Sequence, residues 1–409
     1  MKEKINRRHF LKTIAAAGAG SALPAAKTKA EPNTPQVQSK KQKPQFPQVL
    51  KQKLGKTGIE VPCMALGTNR LDNQAILRAA LQWGITYWDT ANSYVGGNSE
   101  LEIGKFLAKK PEIRKDLFIA SKASGAQTIA DIDNRLKTSF ERMNTTYIDL
   151  YYGVHGLSEP EQLTEELKQW VKEAKKKKLI RFFGFTNHKN MSLNLAAAAK
   201  HDWIDAVMVS YNFRLMQDEE IQAGIEACNN AGIAVIAMKT LGRRTDHNVE
   251  TEEDKKLVGP FLQQGLTEDQ AKIKVVLQDK RITTACVGMN NIAHLTINAA
   301  AAIDKTKLSK ADIEALSEYA RATCTGYCAG CAYICDAAAP ETPYISEIMR
   351  YLMYYNSYGR HQHARELFAA IPAHIRVKLL TTDYGTAQAR CPQHLPIAKL
   401  VAEAVKKFA

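Results

Sequence analysis

Short apolar runs that end on a polar, chemistry-bearing residue recur through the middle of this chain, and they limit the folds open to it. Tyr87-Trp88 gives out at Asp89, Leu117–Ser121 at Lys122, Ile148–Val154 at His155 and Ile180–Thr186 at Asn187. Side chains at the carboxyl ends of buried strands converge only where the strands are parallel and closed into a barrel. Tyr94, five residues beyond Asp89, adds a phenol in the loop that follows the first of these strand ends. An acid, a phenol, an amine and an imidazole at one rim would make a catalytic site.

The spacing of the other apolar runs agrees. Strands are expected over Pro62–Gly67, Thr86–Asp89, Leu117–Lys122, Ile148–His155, Ile180–Thr186, Ala206–Tyr211, Gly232–Lys239 and Ile282–Val287. Helical patterns fall between them, at Asn73–Trp83, Ile129–Met143 and Glu161–Lys177 among others. Leu54–Val61, with Lys-Thr-Gly at its turn, reads as a β-hairpin ahead of the first unit. Alternation of this kind over about 240 residues predicts an α/β fold, the (β/α)8 TIM barrel. A doubly wound sheet would need a Gly-x-Gly-x-x-Gly turn or a Walker loop after a strand, and none occurs.

Outside the barrel the chain changes character. The net charge of +14 suggests nucleic acid until it is located. Residues 1–53 hold twelve Lys/Arg and two acids, so 12 − 2 = 10 of those charges lie there. The lysine run Lys175–Lys178 ends an amphipathic helix, where cations suit the helix dipole. No nucleic-acid partner is expected. Asn6-Arg7-Arg8-His9-Phe10-Leu11-Lys12 precedes a weakly apolar stretch, Thr13–Ala26. This pattern, over residues 1–30, resembles a twin-arginine export signal, which implies the twin-arginine translocation machinery as a partner and a periplasmic or cell-envelope destination. The stretch is too short and too weakly apolar for a comfortable span, so no stable membrane span is expected once the signal is removed. Residues 31–50, rich in proline and glutamine, read as a flexible linker. The barrel is assigned to 51–321 and a mostly helical cysteine-bearing appendage to 322–409.

Of eight cysteines, Cys63, Cys228 and Cys286 fall within predicted strands or helix and read as small core residues. The other five are Cys324, Cys328, Cys331, Cys335 and Cys391, the last followed by Pro392. Bacterial ferredoxins use Cys-x2-Cys-x2-Cys-x3-Cys-Pro, close to the spacing here. The preferred ligand set for one [4Fe–4S] cluster is Cys328, Cys331, Cys335 and Cys391, with Cys324 as the alternative ligand. Zinc on the same thiolates and disulfides in an exported protein are the competing readings.

With these motifs in order, residues 52–300 resemble the aldo/keto reductase superfamily. The match rests on Asp-Thr-Ala-x-x-Tyr, a strand-terminal Ser-Lys, a strand-terminal His and Gly-x-Thr-Asn. The appendage resembles a subgroup carrying a ferredoxin-like iron–sulfur segment. The resemblance implies that Asp89, Tyr94, Lys122 and His155 form a catalytic tetrad, and that Thr186 and Asn187 hold a nicotinamide carboxamide. It also implies that Ser210, Tyr211, Lys239, Gly288 and Asn298 lie along the cofactor. NADP is the family's cofactor, with NAD left open, because the residues after the eighth strand offer no cation for a 2′-phosphate. Arg243 and Arg244 are candidates for the pyrophosphate. Met208 stands where many members carry a glutamine, and no aromatic follows the seventh strand to stack on the ring.

The chemistry fits those roles. A free tyrosine, with a pKa of about 10, is a poor acid at neutral pH, and a nearby ammonium is expected to lower it. Lys122 in turn needs the carboxylate of Asp89. The expected activity is interconversion of a small-molecule carbonyl and alcohol, a sugar among the candidates, with Tyr94 moving the proton. The alternative is a slow nucleotide-binding sensor or assembly module with a structural metal site.

Overall fold

A computed structural model describes residues 46–245 and 265–408. The export signal and the first part of the linker lie outside the described residues, as does part of the loop after Leu241. The chain divides into two units, Met1–Gln45 and Phe46–Ala409.

Strands β1 (Lys51–Lys53) and β2 (Glu60–Pro62) pair antiparallel around the Lys-Thr-Gly turn. Eight further strands follow: β3 (Met64–Gly67), β4 (Tyr87–Asp89), β5 (Phe118–Lys122), β6 (Ile148–Leu157), β7 (Ile180–Asn187), β8 (Ala206–Ser210), β9 (Ala234–Met238) and β10 (Ile282–Gly288). They close a parallel barrel in the order β10-β3-β4-β5-β6-β7-β8-β9. The strand ends thus meet at one rim, as the sequence pattern requires. Helix Ile129–Met143 begins at a capping box between Thr128 and Asp131 and stops at Asn144, which takes the left-handed conformation.

Period-two alternation decides what faces inward. Ala65, Tyr87, Phe118, Ala120, Leu150, Tyr152, Ala206, Met208, Ala234 and Ile236 pack together inside the barrel, with Leu54 and Val61 of the hairpin closing its amino-terminal end. Two residues on from these apolar positions come Asp89, Lys122, Ser210 and Met238. Strand β6 departs from strict alternation. Its register slips between Tyr152 and Val154, after which His155 pairs with Thr186 of β7. A bulge therefore re-aims the end of β6, a common device beside functional sites.

Residues 322–408 form helices Ala332–Ala338, Ile345–Asn356, His361–Ala369, Ala373–Arg376, Gly385–Arg390 and Ile397–Phe408. Their apolar faces bury one another in a second core that contains Cys335, Ile348, Leu352, Phe368, Cys391 and Val401. The segment is tied to the barrel rim by main-chain bonds: the Asn190 amide donates to the Gly330 carbonyl at 2.8 Å and the Thr245 amide to the Gly326 carbonyl at 2.6 Å. Gly330 adopts a φ of +82°, and a side chain there would meet the His188 carbonyl at 2.3 Å.

Candidate active site

Lys122 lies at the centre of the rim. Its Nζ donates to Asp89 Oδ1 at 2.6 Å and to the Thr90 carbonyl at 2.7 Å, and stands 4.6 Å from the centroid of the Tyr94 ring. Lys122 and Asp89 are almost fully buried, at 1% and 2% exposure, which leaves each dependent on the other. Burial disfavours the Lys122 charge, yet Asp89 and Tyr94 outweigh it and hold the ammonium above lysine's ordinary value. Burial also pushes the Asp89 carboxyl up, with Lys122 opposing. We take the pair as ionised, because the 2.6 Å contact places a full counter-charge on each partner.

Tyr94 begins a short 3₁₀ turn after β4. The expectation that Lys122 would lower its pKa is corrected here. Lys122 does pull the phenol down, but burial pushes harder, Asp89 adds to it, and the outcome is a rise to about 12. The phenol is therefore fully protonated at neutral pH.

His155 completes the group, its ring centroid 6.4 Å from that of Tyr94. Its Nδ1 lies 2.7 Å from Ser124 Oγ. The Ser93 hydroxyl donates to Ser124 Oγ at 2.8 Å, leaving the Ser124 proton for Nδ1. That assignment puts the ring proton on Nε2. Burial, then Lys122 and Arg350, lowers His155 to about 3, so the imidazole is neutral. Ser124, two residues past Lys122, was not singled out in the sequence, since a lone loop serine carries no pattern.

A cleft of about 2060 Å³ opens beside these four residues. Thr186, Lys239, Gly288 and Asn298 line it with Asp89, Tyr94, Lys122 and His155, as do Met208 and Met238. Two polar atoms at the end of β7, Thr186 Oγ1 and Asn187 Nδ2, are buried without a hydrogen-bond partner. One can accept and the other donate, which is the complement of a carboxamide. The residues present therefore fit a nicotinamide. Ser210 faces a smaller adjoining cavity. Asn187 and Tyr211 are not among the lining residues of either cavity, and for Tyr211 the strand sets the direction. Alternation along β8 turns it out of the barrel, where its hydroxyl donates to Asp279 Oδ2 at 2.6 Å. Arg243 lines the cleft within 3.7 Å of Asp269. Arg70 and Arg360 stand there too, each donating to a carbonyl of the other's segment, Tyr358 and Asn69.

Cys63 and Cys228 are buried, as core residues should be. Cys286 differs: it is part-exposed, lines the cleft and abuts Asp89. All eight cysteines are free thiols. Burial pushes the Cys328, Cys331 and Cys335 thiols up, and the sulfur of Cys391 adds to the rise of each. Among the described residues, no three His, Cys, Asp or Glu side chains are placed to hold a metal ion.

The pattern of the aldo/keto reductase family matches residues 63–321. The chain belongs to the aldo/keto reductase family. A twin-arginine translocation signal pattern matches residues 4–24. The aldo-keto reductase yakc [NADP(+)] of Schizosaccharomyces pombe is 30% identical over 186 residues, 42% of this chain and 52% of that protein. L-glyceraldehyde 3-phosphate reductase of Escherichia coli O157:H7 is 24% identical over 302 residues, 60% of this chain and 86% of the relative. The chain spans about half the length of the curated relatives that it matches at about 30% identity. Among solved structures, the thermostable aldo-keto reductase Tm1743 in complex with epalrestat superposes with a TM-score of 0.56 at 26% identity, covering 66% of this chain and 99% of that one. These likenesses concern the barrel. Among the described residues, no helix is long and apolar enough to cross a membrane.

Proposed function

We propose that this aldo/keto reductase interconverts a small carbonyl compound and its alcohol, with NADP as the redox partner. The observation that carries this reading is the buried Lys122, shared between the Asp89 carboxylate and the face of Tyr94. The S. pombe relative, whose name specifies NADP, supports that choice of dinucleotide.

Thr186 Oγ1 and Asn187 Nδ2 would hold the carboxamide, with Ser210, Gly288 and Asn298 along the cleft. The bound dinucleotide supplies or accepts the hydride. Reduction leaves negative charge on the substrate oxygen, and donors already aimed at it stabilise that charge. Tyr94 and His155 Nε2–H are those donors. The Tyr94 proton passes to the oxygen, and the phenolate left behind lies against the Lys122 ammonium. Asp89 keeps that ammonium charged although burial works against it. Ser124 fixes the imidazole so that its proton points at the substrate. The slow-sensor alternative is not favoured, because the proton donor, its cation and the orienting imidazole converge on one cleft.

We further assign one [4Fe–4S] cluster to Cys328, Cys331, Cys335 and Cys391, supported by a spacing near the ferredoxin pattern and by the core that holds Cys335 and Cys391 with Cys328 packed against it. Twin-arginine export to the periplasm or cell envelope suits such cargo, since that route carries folded proteins.

Purified protein should oxidise NADPH when given a panel of aldehydes, ketones and sugars. Turnover undiminished in Tyr94→Phe would overturn the proton-transfer role. A brown preparation bleached by Cys331→Ser supports the cluster, and a colourless one containing zinc refutes it.

A further inference from the structure

The wall of the cleft near His155 carries a second polar group that the tetrad does not use. His188 follows β7, Lys239 follows β9, and Arg350 comes from helix Ile345–Asn356 of the carboxyl-terminal segment. All three line both the main cleft and the small cavity beneath it, together with Ser346 and Thr245 in the latter.

Among the described residues, neither Lys239 nor Arg350 forms an ion pair. Glu347, which favours charge on Arg350 from a distance, is engaged by Lys189 at 3.3 Å, as is Asp336 at 3.4 Å. Arg350 Nε and His188 Nδ1 are buried with no hydrogen-bond partner. Lys239 Nζ stands over the face of Tyr354, 5.6 Å from the ring centroid. Burial and then Arg350 bring Lys239 down to about 7, and an anion seated among Arg350, Lys239 and His188 would offset that repulsion and restore the ammonium. Arg350 also adds to the field that disfavours charge on His155, so this group lies within electrostatic reach of the reaction centre. It differs from the Tyr94–His155 position, where the carbonyl oxygen belongs. It also differs from the rim formed by Arg70, Arg243 and Arg360.

We propose that the substrate carries an anionic group, a carboxylate or a phosphate, which seats between Lys239, Arg350 and His188 while its carbonyl meets Tyr94 and His155. This inference rests on the reductase reading. Charge-assisted bonds from a guanidinium and an ammonium would fix one end of the molecule and so orient the other. Lys239, expected along the cofactor, is thereby assigned to substrate selection.

The test is equilibrium binding to the full-length purified protein, measured by calorimetry with succinate, inorganic phosphate and uncharged succinamide as probes. Succinate or phosphate should bind at least tenfold more tightly than succinamide, and the better of the two identifies the anionic group. Arg350→Met should weaken anion binding at least tenfold while NADPH affinity holds, Lys239→Met should weaken anion binding as much, and Arg350→Lys should restore part of it. Circular dichroism establishes that each variant is folded. Equal binding of succinamide and succinate overturns the proposal. So does a folded Arg350→Met that binds anions normally and alters only the visible spectrum, since the cations would then serve the thiolates around Cys328. Anion binding as expected without reduction of any carbonyl would instead count against the reductase reading and leave this site standing.

Discussion

Lys122 Nζ and Asp89 Oδ1 are 2.6 Å apart at the ends of adjacent barrel strands, and neither side chain reaches solvent. Removing one partner leaves the other as a buried, uncompensated charge, at a cost of about 3–5 kcal/mol. Asp89→Asn and Lys122→Met should each lower the urea midpoint by that order. Their double combination should cost less than the sum, and additive losses in equilibrium unfolding would show that the pair is not coupled.

Tyr94 is the proton donor only if its hydroxyl matters more than its ring. Tyr94→Phe keeps the ring over Lys122 and should cut kcat for carbonyl reduction by about 10²–10⁴-fold, the usual worth of a positioned acid. NADPH affinity should stay within a few-fold, read by fluorescence titration. Because burial holds the phenol near 12, alcohol oxidation, which needs the phenolate, should still be rising with pH at about pH 10, the ordinary tyrosine value, with no plateau there.

The histidines make stability fall on the acid side. His155 is depressed to about 3 in the fold, against an ordinary value near 6.5, and His188 is depressed as well. The unfolded chain therefore binds more protons than the folded one between those limits. The contribution is whole above about pH 6.5 and is lost progressively as pH falls toward 3. Urea titrations at pH 7.5 and 5.0 should show the decline, and His155→Gln should flatten it.

Among the described residues, Thr186 Oγ1 has no hydrogen-bond partner. Thr186→Val should thus leave the fold as stable as before, or up to about 2 kcal/mol more so, because an unsatisfied buried hydroxyl is gone. The same change should weaken NADPH binding by about five- to tenfold, the worth of one hydrogen bond. A thermal melt and a binding titration on one preparation measure both. Reduced stability with unchanged affinity would remove Thr186 from the cofactor site.

Much of this arrangement could be read from one strand at a time. Asp89, Lys122 and Asn187 end apolar runs, and helix Ile129–Met143 has the bounds its pattern predicts. Tyr211 shows a limit that alternation could have removed, since Met208 faces inward and the residue three positions on must face outward. Arg350 and Ser124 were illegible for a different reason. Nothing near them in sequence signals the cleft, and only tertiary packing brings them to His155. The rise in the Tyr94 pKa is likewise a property of enclosure, which a list of neighbouring charges does not contain.

Gly330 presses its bare α-carbon against the carbonyl of His188, and His188 directly follows Thr186 and Asn187. The loop that bears Cys328 and Cys331 and the turn that follows β7 are thus pressed together, so a side chain at position 330 would push on Thr186 and Asn187 as much as on the cysteine loop.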